Sequence, residues 1–145
     1  MKIVAIDPDT FTTAIAIHDG SIIPWNGVML RGAETTAKAS KTPPDTRRER
    51  ILELTHQFFL HERPDIVVLE RPEYRNKRTI SVPGLMSLVE IASDLYGLAL
   101  GLCPVVRRVI PRVWKGMVPK LIHQRRLCRT LKWKYTSKEE YVIPF

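Results

Sequence analysis

Lys2-Ile3-Val4-Ala5-Ile6-Asp7-Pro8-Asp9 forms the first predicted strand and the turn after it. Its β-branched and apolar residues predict a strand, and Asp7-Pro8-Asp9 is a turn sequence that ends that strand. Strand character resumes at once in Thr12-Thr13-Ala14-Ile15-Ala16-Ile17. The two segments together predict a β-hairpin.

Beyond the hairpin, the hydrophobic pattern predicts alternating strands and helices. A third antiparallel strand is expected within residues 22–30, although Pro24 and Gly27 blur its limits. The later elements are a helix from an N-cap at Asp45 to Pro64, a buried strand over Ile66–Leu69, a helix over Leu85–Ala99 ending near Gly101, a strand over Val105–Ile110 and a helix over Pro119–Lys132. This order predicts an α/β fold with a mixed sheet flanked by helices, in one domain over residues 1–145.

Composition favours one core and a polyanionic partner. The chain has 145 residues, 44% of them hydrophobic, and carries a formal net charge of +8. From Leu95 to Lys138 there is no Asp or Glu, while Lys and Arg accumulate. Such a density of one charge repels itself unless a polyanion lies across it. A nucleic acid is the expected partner, and a merely solvated basic helix is the alternative.

The cysteines and the hydropathy pattern favour an intracellular protein without a membrane segment. Cys103 and Cys128 have no metal-type spacing and are too few for a disulfide framework. Asp7 and Asp9 interrupt what would otherwise resemble the apolar core of a signal peptide. No stretch is expected to be long and apolar enough to span a membrane.

Acidic residues follow two of the predicted strands. Asp7 ends the first strand and Glu70 ends the strand over Ile66–Leu69. Because strand ends converge, two carboxylates held there require a cation, and oxygen ligands suit Mg²⁺. Asp9 is a candidate third ligand. The alternative is that Asp7 and Asp9 are turn residues and that Glu70 pairs with Arg71 or Arg75.

Three blocks of sequence, in order, resemble the RuvC family of Holliday-junction resolvases, which has a ribonuclease-H-like fold. The first is Ile3–Thr10 with Thr13, where the family has an apolar strand ending in Asp-Pro-Gly-Ser or Asp-Pro-Gly-Thr. The second is Pro64–Glu70, an apolar strand ending in Glu. The third, Pro111–Gly116 with the following Val118-Pro119-Lys120 and His123, looks like phage-type members in particular.

The resemblance implies a structure-selective endodeoxyribonuclease that resolves four-way DNA junctions. It implies catalytic roles for Asp7 and Glu70, a Mg²⁺ or Mn²⁺ cofactor, and a homodimer in which the Leu85–Ala99 helix is the interface. The alternative is that the apolar stripe of this helix packs wholly against its own sheet. Expected DNA-binding residues are Tyr74, as an aromatic wedge, and Arg75, Lys77, Arg78, Arg112, Lys115, Lys120, His123 and Arg126. The expected location is the cytoplasm of a bacterial or phage-infected cell.

Two positions depart from the family pattern. Asp9 stands where the family usually has Gly, and the acidic pair that the family carries about three residues apart on a C-terminal helix is missing. Glu139 and Glu140 are the only acidic residues after Asp94, and adjacent helical positions point to different faces. A shortened chain, a diverged site that uses Asp9, and a branched-DNA-binding protein without cleavage activity all remain open. An RNA-binding protein is a further alternative.

Overall fold

The computed structural model describes residues 1–20, 26–34, 38, 40–73, 81–111, 113 and 122. Five strands and two long helices lie in this part of the chain. In order they are β1 (Ile3–Asp7), β2 (Thr12–His18), β3 (Asn26–Arg31), α1 (Pro44–Glu62), β4 (Ile66–Glu70), α2 (Val82–Leu102) and β5 (Val105–Val109).

The five strands form one mixed sheet in the order β3-β2-β1-β4-β5. β1 pairs antiparallel with β2, and β2 pairs antiparallel with β3, as the predicted hairpin requires. β4 lies parallel to both β1 and β5. A parallel pair needs a long crossover, and α1 and α2 supply the two crossovers here. The predicted α/β fold with a mixed sheet is therefore confirmed.

Both long helices pack on the same face of the sheet. Alternate residues of each central strand face them, because successive strand side chains point to opposite sides. The core contains Val4, Ile6, Ile15, Leu30, Val67 and Leu69 from the strands, with Ile51, Phe59, Ile91, Leu95 and Ala99 from the helices. The residues between them on the strands therefore face the other side of the sheet.

The start of α1 differs from the sequence prediction. Pro43, not Asp45, is the N-cap residue, and Pro44 begins the helix. Proline suits the first helical position because the missing N–H would have no partner within the helix. Asp45 lies in the first turn, where its negative charge favours the positive end of the helix dipole.

The start of α2 also lies earlier than predicted. The Ser81 hydroxyl accepts a hydrogen bond from the Gly84 backbone N–H at 3.2 Å, and the helix begins at Val82 rather than Leu85. β3 covers the second part of the predicted third strand, and residues 22–25 lie outside the described residues. The predicted Pro119–Lys132 helix also lies outside them, apart from Ile122, which is helical.

One expectation about hydropathy was wrong. With 21 residues, α2 is long and apolar enough, by length and composition, to cross a membrane. The helix contains two charged residues, Glu90 and Asp94, which interrupt its apolar sequence. Ile91, Leu95 and Ala99 of this helix are at most 1% exposed against the sheet and α1. One side of the helix therefore packs into the core of the fold, while Val82, Met86 and Leu100 on its other sides are exposed.

Candidate functional site

Strands β1 and β4 place Asp7 beside Glu70. Their parallel register pairs Ile3 with Ile66 and continues to Ile6 with Leu69, so the next position on each strand is Asp7 and Glu70. Neighbouring strands lie about 4.8 Å apart, which puts the two Cα atoms at roughly that separation. The adjacency of these strand ends, on which the predicted site depends, is confirmed.

The two carboxylates also share one face of the sheet. Val4 and Ile6 of β1 are 0% and 3% exposed and face the helices. Since side chains alternate along a strand, Asp7 points to the opposite side, and its in-register neighbour Glu70 points with it. Asp7 is exposed and Glu70 is half-buried. Both groups are thus placed where a ligand from solvent can reach them.

Asp9 is engaged in the turn between β1 and β2. Its Oδ1 accepts hydrogen bonds from the backbone N–H of Phe11 at 2.8 Å and of Thr12 at 3.3 Å. Its backbone carbonyl accepts from the Thr13 hydroxyl at 3.3 Å. These contacts are those of a turn-forming aspartate. The role of Asp9 as a third metal ligand stays a prediction.

A buried arginine attaches this turn to α1. Arg47 is 7% exposed, and its Nε donates to the carbonyl of Thr10 at 3.1 Å while a terminal nitrogen donates to the carbonyl of Thr42. Its guanidinium carbon lies 4.2 Å from the centre of the Phe11 ring. The Gly32 N–H donates to the Phe11 carbonyl at 2.8 Å. The turn beside Asp7 is therefore held from two sides.

The positions of Arg47 and Phe11 at this turn were not predicted from the sequence. The available signal was the helical spacing, because Arg47 precedes the buried Ile51, Thr55 and Phe59 at intervals of four residues on α1. A charged residue in line with a buried stripe must have polar partners in the fold. That pattern indicates a buried arginine, although it does not identify the carbonyls that the arginine binds.

The predicted DNA-binding residues lie outside the described residues. They are Tyr74, Arg75, Lys77, Arg78, Arg112, Lys115, Lys120, His123 and Arg126. Two of the exposed basic residues that the structure describes, Arg31 and Arg107, belong to the sheet strands β3 and β5. By strand alternation and register both lie on the sheet face that carries Asp7 and Glu70, since Arg31 pairs with Thr12 and Arg107 pairs with Val68.

The carboxylate pair suits a divalent cation that takes its remaining ligands from water and substrate. It does not suit a cation that must be held by protein ligands alone. In the described part of the chain, no group of three or more His, Cys, Asp or Glu residues is placed to hold a metal ion. Mg²⁺ in phosphoryl-transfer sites commonly takes one or two carboxylates and completes its shell with water and substrate phosphate oxygens. Asp7 and Glu70 match that donor set.

The strand order β3-β2-β1-β4-β5 and the helices packed on the mixed sheet define a ribonuclease-H-like α/β fold. Within that class the fold is RuvC-like. The structure of Thermus thermophilus RuvC in complex with a Holliday junction substrate is similar, with a TM-score of 0.67 and 14% identity over 93% of this chain and 81% of that chain. A second Thermus thermophilus RuvC structure has a TM-score of 0.63 and 14% identity over 97% of this chain and 86% of the other.

A eukaryotic resolvase has the same fold. The yeast mitochondrial Holliday junction resolvase Ydc2 has a TM-score of 0.55 and 17% identity, over 94% of this chain and 65% of that chain. No family model matches the sequence, and no curated protein matches it at a significant level. At these identities the structural likeness establishes the fold alone.

Proposed function

We propose that this protein is a structure-selective endodeoxyribonuclease that resolves four-way DNA junctions by metal-dependent hydrolysis of a phosphodiester bond. The observation that carries the proposal is that Asp7 and Glu70 directly follow Ile6 and Leu69, the last residues paired between the neighbouring strands β1 and β4. The RuvC-like fold supports it, because two solved structures with that fold are described as Holliday junction complexes or resolvases.

Asp7 and Glu70 would hold Mg²⁺ or Mn²⁺ through their carboxylate oxygens. When bound, such an ion lowers the pKa of a coordinated water and neutralises charge on the phosphate. The protein keeps both carboxylates on the side of the sheet opposite the two long helices, and Arg47 fixes the turn that follows Asp7. Exposed arginines on the same face, Arg31 and Arg107, supply positive charge for the DNA backbone.

Cleavage of a labelled four-way junction in Mg²⁺ tests this function. We expect Asp7→Asn and Glu70→Gln each to lower the cleavage rate at least roughly 100-fold, since even indirect partners of a metal cost 10- to 100-fold. Junction binding in EDTA should be retained. Glu49→Gln is the matched control, because it removes one exposed carboxylate from α1 and makes the same change in net charge. Absence of nicking by the unaltered chain at high protein concentration would reject the nuclease.

A junction-binding protein without cleavage activity is the second candidate. It is favoured by the described residues, among which no group of three or more His, Cys, Asp or Glu is placed to hold a metal ion. This candidate predicts tight, salt-dependent binding to branched DNA and no calorimetric signal on addition of Mn²⁺. Structured RNA that outcompetes the junction at equal salt would instead favour an RNA-binding protein.

We propose that the protein acts as a homodimer through the first half of α2. Val82, Met86 and Val89 recur at helical spacing and are 64%, 60% and 43% exposed. Two symmetric copies would place two carboxylate pairs on opposite strands of a junction. Met86→Glu should shift the molar mass in solution from dimer to monomer. Leu60→Glu, at an equally exposed site on α1, should leave the mass unchanged.

The finer assignments rest on sequence. We propose a phage-type member of the resolvase group, on the resemblance carried by Pro111–Gly116, and a location in the cytoplasm of a bacterial or phage-infected cell. The first assignment depends on sequence alone, because that block lies mostly outside the described residues. The second is consistent with Cys103, which is a buried free thiol.

A further inference from the structure

Charge is divided unevenly between the two sides of the sheet. On the helix side, α2 carries Glu90 and Asp94 and no basic residue. α1 carries four acidic residues and three arginines, one of which is the buried Arg47. A surface with this excess of negative charge repels a polyanion. An anionic partner is therefore directed to the other side of the sheet, which carries the carboxylate pair.

Two arginines on the carboxylate side have no acidic partner among the described residues. Arg31 of β3 and Arg107 of β5 are exposed, and neither forms an ion pair within the described part of the chain. Arg107 donates a hydrogen bond to the carbonyl of its neighbour Val106 at 3.2 Å. In contrast, Arg48 of α1 binds the Glu90 carboxylate at 2.8 Å. The charges of Arg31 and Arg107 can thus be neutralised by an anionic ligand.

Arg107 lies beside Glu70, on the β5 side of the carboxylate pair. Glu70 pairs with Val109, and Arg107 is two residues earlier on β5. One strand spacing across the sheet and two residues along the strand separate the Cα atoms of Arg107 and Glu70 by about 8 Å. Both side chains point to the same side, because Arg107 pairs with Val68 and alternate residues of a strand share a side.

Arg31 lies on the β3 side of the pair, in the opposite direction. Asp7 pairs with Ala14 of β2, and Arg31 pairs with Thr12, two residues from Ala14. Two strand spacings and two residues along the strand separate the Cα atoms of Arg31 and Asp7 by about 12 Å. The strand order β3-β2-β1-β4-β5 therefore puts the carboxylate pair between the two arginines, on a line that crosses the sheet obliquely.

We propose that the DNA strand held at Asp7 and Glu70 crosses the sheet obliquely from β3 to β5. Arg31 contacts a phosphate on one side of the phosphate at the carboxylates, and Arg107 contacts a phosphate on the other side. The proposal rests on the proposed DNA-directed function and adds the path of the strand to it. A guanidinium group can pair with phosphate through two N–H groups at once, so each contact fixes a position along the backbone.

Binding of the full chain to a four-way junction in EDTA tests this path. A methylphosphonate, which carries no charge, replaces the phosphates near the branch one at a time. For the unaltered chain, neutralising a contacted phosphate should raise Kd roughly 3- to 10-fold, as for an exposed charge-assisted contact. In Arg31→Gln one such position should become insensitive. In Arg107→Gln a different position on the same strand should become insensitive, with at least one phosphate between the two.

Arg50→Gln is the matched control. Arg50 is exposed on α1, on the other side of the sheet, and its replacement makes the same change in net charge. This variant should keep both sensitive positions. Arg31→Gln and Arg107→Gln should each lower the slope of log affinity against log salt concentration by about one, whereas Arg50→Gln should leave the slope unchanged.

The outcomes distinguish this path from the function on which it rests. Two separate insensitive positions on one strand, one for each arginine, support the path. If the unaltered chain binds the junction, but both variants lose the same position, positions on different strands or none, the path is overturned and the nuclease proposal stands. Equal effects of Arg50→Gln also overturn the path. If no DNA binds to the unaltered chain, both proposals are overturned.

Discussion

Gly32→Ala is expected to destabilise the protein and to loosen the turn beside Asp7. A Cβ atom added at Gly32 would lie 2.8 Å from Arg47 Cβ and 3.2 Å from Arg47 Cα. The first distance is about 0.6 Å shorter than the 3.4 Å at which ordinary contacts begin. The Arg47 atoms belong to the stem and backbone of α1, so the helix or β3 must move.

The expected cost is that of overpacking, roughly 1–3 kcal/mol in the free energy of unfolding. For a chain of this length that corresponds to a fall in Tm of about 2–4 °C per kcal/mol. Urea denaturation, followed by far-ultraviolet circular dichroism, measures the loss. Because the Gly32 N–H also binds the Phe11 carbonyl, metal affinity at the carboxylates should weaken along with stability.

Gly97→Ala is the matched control for this experiment. An added Cβ at Gly97 meets no atom within 4 Å, and the residue lies inside α2, where alanine is favoured over glycine by about 0.8–1.0 kcal/mol. Gly97 also lies roughly 12 Å along the helix from Val89, beyond the proposed dimer surface. The control should be more stable than the unaltered chain. Equal stability of Gly32→Ala and the unaltered chain would refute the close approach of β3 and α1.

Three other predictions concern the framework around the site. Lys2→Met should destabilise the fold by about 1 kcal/mol at pH 7, because the Lys2 ammonium donates to Glu62 Oε2 at 2.7 Å and lowers the pKa of that carboxyl. A lowered pKa stabilises the fold above the ordinary glutamate pKa, and this contribution is lost as the pH falls through the lowered pKa of the folded state. The difference from the unaltered chain should therefore shrink in acid to the part contributed by the Lys2 Nζ bond to the Glu62 carbonyl at 2.8 Å, and a difference that does not change with pH would contradict the pairing. Ser81→Ala should cost about 0.5–2 kcal/mol through loss of the cap on Gly84, checked against Ser81→Asp, which should retain most of the stability. Leu69→Ala should cost about 2–5 kcal/mol in urea denaturation, because Leu69 is 0% exposed in the strand that ends at Glu70, and a cost below 1 kcal/mol would contradict its placement in the core.

The strands that carry the site could be predicted from the sequence because their β-branched and apolar residues are typical of buried strands. Ile66–Leu69 is a continuous apolar run, which is typical of a parallel strand buried within a sheet. The turn after Asp7 requires the following strand to return antiparallel. Together they predict where Asp7 and Glu70 emerge, and the register of β1 with β4 confirms that the two strands are neighbours.

The remaining features depend on contacts between residues distant in sequence. Arg47 binds Thr10, which lies 37 residues away, and no local pattern specifies that carbonyl as its partner. The N-cap of α1 is Pro43, two residues before the predicted Asp45, because a proline such as Pro44 also suits the first helical position. Local sequence does not distinguish between starts so close together. The exposure of Phe11 depends on how the turn packs against α1, which hydropathy does not reveal.

Anomalous scattering from a crystal of the full chain soaked in Mn²⁺ would locate a metal ion bound at Asp7 and Glu70. We expect a manganese peak within coordination distance of both the Asp7 and Glu70 carboxylates, and no such peak in a soaked crystal of Asp7→Asn. Carboxyl groups that point to opposite sides of the sheet, or manganese bound only elsewhere on the protein, would contradict the proposed metal site.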